Sequence, residues 1–479
     1  MLQIVRAYDR SPIAQVESDN ADALEAKLEL AVSTFRDRDH RPERHERIAI
    51  LSRLTSLMDS ERDRLSHLIA QEGGKPLMDA IVETDRAIDG VRTAADELRN
   101  FAGREIPMGM TAASTGRWAF TTKEPIGVVV AISAFNHPLN LIVHQVAPAI
   151  ATGCPVIVKP APATPLCCME FVRLVRQAGL GESWCQTFLT DDNALSERLA
   201  TDPRVGFLSF IGSARVGWHL RSKLSPGTRC ALEHGGAAPA IVDRSAALDQ
   251  IIEPIVKGGY YHAGQVCVSI QRIFVHTDLL AEFVDRFAAR VRSLRVGDPL
   301  STETEVGPLI LPREVDRVQS WIAEAVAGGA RIVAGGEQIS PTTLRPTVMV
   351  QVPAQAKLSR EEVFGPVKCV YGFTNLDDAI AAANSLPVAF QASIFTREIG
   401  PALRAAERLD ASAVMVNDHT AFRTDWMPFA GRRQSGYGIG GIPGTMREMT
   451  QEKMIVLRRT ENDHLAACAG ALAATKSNA

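Results

Sequence analysis

Short, valine-rich apolar runs alternate with helix-like stretches along most of this chain, and that rhythm constrains its fold more than any other feature. The first clear run is Gly127–Ile132 (Gly-Val-Val-Val-Ala-Ile), followed by Pro155–Val158, Val205–Phe210 and Ala240–Val242. Each is too short for a helix and lacks the polar alternation of a half-exposed strand. Each therefore reads as a strand buried on both faces of a parallel sheet. A second series comprises Arg272–Val275, Arg331–Ala334, Val367–Tyr371, Ser393–Thr396 and Ala413–Val416, with helical stretches Leu279–Leu294 and Pro312–Ala327 among them. Strand and helix in alternation predict a doubly wound α/β architecture. Two such series in 479 residues predict two α/β domains, because one core does not grow to that size. The boundary falls near Glu233–Gly236.

Before Gly127 the chain is helical from about Arg44 to Glu97, with Ile48, Leu51, Leu54, Leu57, Leu65 and Ile69 near helical spacing. Residues 1–30 are weakly patterned. Near the other end, Met454-Ile455-Val456-Leu457 reads as a strand that needs an edge to pair with. Residues 461–479 are alanine-rich and read as a disordered tail.

The net charge of −3 offers no field to attract nucleic acid or an anionic membrane surface. The N-terminus lacks the apolar core of a signal peptide, and apolar runs break well before bilayer length. Eight cysteines carry no metal-ligand spacing and no C-x-x-C pair, so no metal is expected. Thiols scattered in this way fit a reducing cytoplasm.

Three runs carry chemistry. Gly264-Gln265-Val266-Cys267-Val268-Ser269 holds a soft nucleophile, Glu233-His234-Gly235-Gly236 begins with a carboxylate, and Ala134-Phe135-Asn136-His137-Pro138 holds an amide donor. A nucleophile, a base and an oxyanion donor suffice to attack a carbonyl and later release the acyl group. Taken singly, each has a plain alternative: a buried cysteine, a salt-bridged glutamate, a turn asparagine.

In this order and with these flanks, the runs resemble the aldehyde dehydrogenase superfamily from about Arg36 to Leu457. The resemblance implies a Rossmann-like cofactor domain over residues 1–233, with an oligomerisation hairpin at about 104–125. It implies an α/β catalytic domain over 234–440 and a C-terminal oligomerisation strand over 441–460 in a homodimer or homotetramer. It implies that Cys267 attacks the aldehyde, that Asn136 holds the oxyanion, and that Glu233 activates the water that hydrolyses the thioester. Relatives that pass the acyl group to coenzyme A generally lack that glutamate. A coenzyme-A-acylating enzyme and a non-enzymatic, crystallin-like protein are the alternatives on the same fold.

The implied cofactor is NAD or NADP. Lys159 answers to the family's lysine on the adenosine ribose, Gly212-Ser213 to the turn at the pyrophosphate, and Glu362 and Phe364 to the pair at the nicotinamide. Gly436-x-Gly438-x-x-Gly441 matches a dinucleotide fingerprint only formally, since no strand precedes it. Pro162 stands where NAD-preferring relatives often carry a glutamate, so a 2′-phosphate would meet no repulsion.

The same alignment places His137, Asn140, His144, Tyr261, Val266, Val268 and Arg423 near the aldehyde entrance. Arg86 is a candidate second guanidinium there. His137, Arg423 and Arg86 are the expected substrate-binding residues. Their chemistry suits a small polar or anionic aldehyde, as in the lactaldehyde, phosphonoacetaldehyde and sulfolactaldehyde types. Asp85 and Asp425 are the acids that could instead pair with these arginines.

Overall fold

The computed structural model describes residues 1–459. The expected disordered tail, 461–479, lies outside the described residues. Two mostly parallel sheets form the α/β bodies, and a small antiparallel sheet forms a third element.

The first sheet has six strands in the order Gly436–Tyr437, Arg229–Glu233, Val205–Ile211, Val128–Ile132, Val156–Lys159 and Cys185–Thr187. All pairings are parallel except that of Gly436–Tyr437 with Arg229–Glu233. Val128–Ile132 is buried throughout, as its unbroken apolar composition requires. Its side chains divide by the two-residue period: Val129 and Ala131 pack with Val156, Val158 and the helical layer, whereas Val128, Val130 and Ile132 pack with Ile157, Leu208 and Phe210 on the other face. The register sets Ile132 beside both Lys159 and Phe210, and Ile211 beside Glu233. The carboxyl ends of four strands thus finish level, the edge where parallel α/β sheets bind ligands.

The second sheet has seven strands in the order Arg331–Ala334, Thr347–Val350, Val367–Phe373, Ile270–His276, Ala238–Val242, Gln391–Phe395 and Ala413–Val416. Only Arg331–Ala334 runs antiparallel to its neighbour. Strands Ile270–His276 and Val367–Phe373 are parallel, with Arg272 beside Cys369. The loops entering them, which carry Cys267 and Glu362–Phe364, are therefore neighbours. Chain order does the rest. Glu233 leaves the first sheet, and the second begins at Ala238, so a carboxyl edge of one sheet faces an amino edge of the other.

Several expectations are refined. The helical region is three helices, Arg44–Ser60, Arg62–Gly73 and Leu77–Asn100. The break after Gly73 is local: Gly74 is left-handed at φ 73° and Pro76 begins the next helix. Residues 1–30 are more ordered than their patterning suggests. Leu2–Val5 pairs antiparallel with Pro12–Val16, and Asn20 caps a helix over Ala21–Arg36. The catalytic segment 234–440 is not confined to the second sheet, because Gly436–Tyr437 returns to the first.

The C-terminal strand extends over Thr450–Arg458 and finds its partner within the chain, pairing along its length with Arg117–Pro125. Glu105–Ile106 pairs on the other side of Arg117–Pro125. The edge that the Met454–Leu457 run needs is therefore supplied internally. No helix among the described residues is long and apolar enough to cross a membrane.

Candidate active site

A cavity of about 810 Å³ opens between the two α/β bodies. Every expected catalytic, cofactor and substrate residue lines it: Cys267, Glu233 and Asn136; Lys159, Gly212, Ser213, Glu362 and Phe364; His137, Arg423 and Arg86.

Among the seven described cysteines, Cys267 alone is half-buried, and the other six are buried. The backbone leading to it is strained. His262, Ala263 and Gly264 are all left-handed, at φ 48°, 55° and 73°. Two of these are not glycine, at a cost of about 1–2 kcal/mol each. Gln265 holds the strained turn. Its backbone N–H donates to the His262 carbonyl at 3.1 Å, and its amide donates to Pro308 at 3.2 Å and accepts from the Ile310 N–H at 3.0 Å. Asn136 donates to the Gln265 carbonyl at 2.9 Å, which leaves its second N–H for another acceptor. Asn136 and the Cys267 loop are thereby locked to each other.

The Asn136 loop is fixed from behind. Glu83 accepts from the N–H groups of Leu139 and Asn140 at 3.0 and 3.1 Å, at the start of the helix Asn140–Thr152. Glu83 is itself paired with the buried Lys75. Glu83, Lys75 and the clamping role of Gln265 were absent from the sequence reading. Glu83 lies more than fifty positions from the loop it holds, and no local pattern announces it.

Burial raises the Glu233 carboxyl above its usual range, with Arg423 pulling the other way. The Glu233 carboxylate lies against Gly440, where a Cβ would collide with it and would stand 2.9 Å from the Phe429 carbonyl. The Gly436–Gly441 stretch thus packs a strand end and the Glu233 side chain. Ser435 stitches this stretch to the Glu233 loop, its hydroxyl donating to the Gly235 carbonyl at 2.8 Å. Burial also pushes the Cys267 thiol up to about 12, and the charges of Glu233 and Glu362 reinforce the shift. The protein alone therefore favours the thiol form of Cys267. A cation beside it would be needed to favour thiolate.

A dinucleotide fits the rest of the cavity. Gly212 and Ser213 precede the nine-residue helix Ala214–Ser222, and no side chain caps its first turn. Free N–H groups at a helix start suit a pyrophosphate. Lys159 and Pro162 line the same cavity beyond them. At the other end, Glu362 accepts from the Gly236 N–H at 3.1 Å, and burial raises its carboxyl to about 7. Phe364 is held left-handed at φ 44°, rare for an aromatic residue, and meets Phe135 edge-on at 5.8 Å. Strain of this kind collects at functional sites.

The entrance holds two arginines with different fates. Arg86 grips Asp425 at 2.8 and 3.2 Å, so its charge is already answered. Of the two readings open to Arg86 from sequence, substrate contact or pairing with an acid such as Asp425, the structure shows the pairing, and Arg86 still lines the cavity. Arg423 has no carboxylate partner among the described residues. It stacks 3.5 Å over Phe429, donates from Nη2 to His144 Nδ1 at 3.2 Å, and buries its Nε with no acceptor. His137 meets the Tyr261 hydroxyl at 3.2 Å, and burial beside Lys75 and Arg86 keeps its ring neutral. It offers a hydrogen bond and no charge.

The aldehyde dehydrogenase family model matches residues 1–455. The chain is 33% identical over 456 residues to 3-sulfolactaldehyde dehydrogenase of Priestia aryabhattai, covering 95% of this chain and 94% of that one. Among solved structures it is similar to aldehyde dehydrogenase 21 of Physcomitrella patens in complex with the reaction product succinate, with a TM-score of 0.93, 31% identity, and coverage of 96% and 95% of the two chains. It is also similar to glyceraldehyde-3-phosphate dehydrogenase of Methanocaldococcus jannaschii complexed with NADP, with a TM-score of 0.91, 30% identity, and coverage of 96% and 99%. The chain belongs to the aldehyde dehydrogenase family and is an NAD(P)-dependent oxidoreductase of aldehydes.

Proposed function

We propose that this enzyme oxidises a small aldehyde bearing an anionic group to its free carboxylate, by a thioester on Cys267. The observation that carries the substrate class is Arg423: a guanidinium lining the same cavity as Cys267, with no carboxylate paired to it among the described residues. A buried cation without a carboxylate is costly unless a ligand supplies the charge. The similar proteins named above act on, or hold, molecules with a sulfonate, a phosphate or a second carboxylate.

Lys159, Gly212, Ser213, Glu362 and Phe364 would hold a nicotinamide dinucleotide, which when bound would supply a hydride acceptor and a positive charge to this cavity. The Cys267 thiolate adds to the carbonyl carbon. The free N–H of Asn136 and the Cys267 backbone N–H steady the oxyanion of the thiohemiacetal. Its oxidation leaves the acyl group on sulfur. Glu233, which has no side-chain hydrogen-bond donor among the described residues, takes a proton from water, and the water oxygen displaces Cys267.

The test is a panel of aldehydes assayed with NAD and with NADP, without coenzyme A. Succinate semialdehyde should exceed butanal and benzaldehyde in kcat/KM, and Cys267→Ala should abolish turnover with all of them. A wild type that favours long alkyl aldehydes would overturn the substrate class. Retained turnover in Cys267→Ala would overturn the nucleophile.

A further inference from the structure

Asp425 is the centre of the entrance. Its Oδ1 accepts from Arg86 Nη2 at 2.8 Å, from His144 Nε2 at 2.6 Å and from Asn140 Nδ2 at 3.2 Å, and its Oδ2 accepts from Arg86 Nε at 3.2 Å. The carboxylate is almost wholly buried. A carboxylate among cations and amides is an acceptor only. His144 Nε2 must therefore carry the hydrogen it shares with Asp425. In a neutral imidazole, the other nitrogen is then an acceptor. His144 Nδ1 faces Arg423 Nη2 at 3.2 Å, and a guanidinium can only donate. The two contacts agree on one tautomer.

We propose that Asp425 and His144 are positioning residues for substrate charge: Asp425 fixes the ring of His144, and His144 holds Arg423 by one N–H so that the rest of its guanidinium meets the anionic group of the aldehyde. This inference rests on the anionic-substrate reading and names the residues that would enforce it.

Two further observations support the arrangement. The charges close on Arg423. Arg86 and Asp425 cancel, His144 is pushed down to about 4 by burial and the charge of Arg423, and His137 is neutral, which leaves the Arg423 cation. The long side chain is also held from both sides, since Phe429 stacks under the guanidinium while His144 anchors its end. A preorganised guanidinium binds an anion without having to be ordered by it.

The experiment compares His144→Leu and His144→Gln with the wild type, using succinate semialdehyde and butanal. Leucine removes both ring contacts. Glutamine places an amide donor and acceptor about as far apart as the two ring nitrogens, so it can bridge Asp425 and Arg423 again. In His144→Leu, the ratio of kcat/KM for succinate semialdehyde to that for butanal should fall about tenfold, mainly through KM. In His144→Gln, most of that ratio should return. An unchanged ratio in His144→Leu would overturn the relay, as would failure of glutamine to restore it where its thermal midpoint matches the wild type. Wild-type enzyme that shows no preference for succinate semialdehyde would instead overturn the anionic-substrate reading. If His144→Leu does not fold, His144→Gln and His144→Asn decide, since asparagine is too short to span both partners and should lose what glutamine keeps.

Discussion

The guanidinium of Arg86 grips the carboxylate of Asp425 at two points, across 339 positions of sequence. The pair joins the helix Leu77–Asn100 to the loop that carries Arg423. Arg86→Met should therefore act on stability before specificity. Breaking a buried pair by removing one partner costs about 3 kcal/mol, and the donors left on Asp425 should reduce that. Asp425 is held well below the usual carboxylate range, chiefly by His144 and the two arginines against the opposing effect of burial. A depressed folded pKa stabilises above the unfolded value of about 3.9 and loses that contribution as pH falls towards the folded value. The urea midpoint of Arg86→Met should lie below the wild type at pH 7, and the gap should narrow below about pH 4. A variant as stable as the wild type that loses preference for anionic aldehydes would show that Arg86 binds substrate.

Glu233→Gln should retain a single burst of reduced cofactor and lose steady-state turnover, because the amide cannot accept the proton of the attacking water. Burial raises the Glu233 carboxyl. The protonated, inactive form therefore persists to higher pH than for an ordinary glutamate of about 4.3. Wild-type kcat should fall on an acid limb centred above that value wherever thioester hydrolysis limits the rate. Rapid-mixing absorbance of the nicotinamide reports the burst. Unchanged turnover in Glu233→Gln would refute the base assignment.

Much of this site is legible because its residues sit in short runs whose elements are also legible. Val128–Ile132 is an unbroken apolar strand and Val205–Ile211 is apolar but for Gly206 and Ser209, so their ends could be placed, and with them the positions of Asn136 and Ser213. Pro312–Ala327 is a helix with proline at its first position, where its missing N–H costs nothing. Long-range pairing has no such trace. Nothing near Arg86 in sequence distinguishes Asp425 from Asp85, and Asp85 is in fact held by Arg62. The left-handed backbone at His262, Ala263 and Phe364 is equally silent, because tertiary contacts impose it against local preference. The N-terminal strands are four and five residues long and only partly buried, too little pattern to be read.

The enzyme should use NADP measurably as well as NAD. Pro162 and Lys159 line the end of the cavity that would receive the adenosine, and proline presents no charge to a 2′-phosphate. Burial lowers the Lys159 amine to about 8, so it remains mostly protonated at pH 7 and would be drawn further that way by an anion. Pro162→Glu should shift the ratio of kcat/KM toward NAD. Rejection of NADP by several orders of magnitude in the wild type would mean that another group excludes the phosphate.

A homodimer or dimer of dimers is expected in solution. Thr450–Arg458 is an edge strand of the small sheet, and Trp118, Met454, Val456 and Leu457 of that sheet are exposed. Apolar side chains along a free sheet edge are the feature that self-association covers. Light scattering should give a mass at least twice the 51.9 kDa of the chain. A stable monomer at micromolar concentration would refute this.

Arg423→Met should erase the preference for anionic aldehydes. Methionine keeps apolar contact with Phe429 and removes the charge and the Nε–H. A charge-assisted contact shielded from water is worth about 1.5–3 kcal/mol, roughly tenfold to a hundredfold in kcat/KM. Succinate semialdehyde should suffer that loss, and butanal a smaller one. A second effect must be separated from the first. Arg423 lowers the Glu233 carboxyl, so removing it should move the acid limb of kcat upward for every substrate. The two effects part in a ratio. At any one pH the Glu233 limb acts on both aldehydes alike, so the ratio of their kcat/KM values measures the guanidinium–anion contact alone. Equal losses for both aldehydes would mean that Arg423 supports the loop and does not bind the anion.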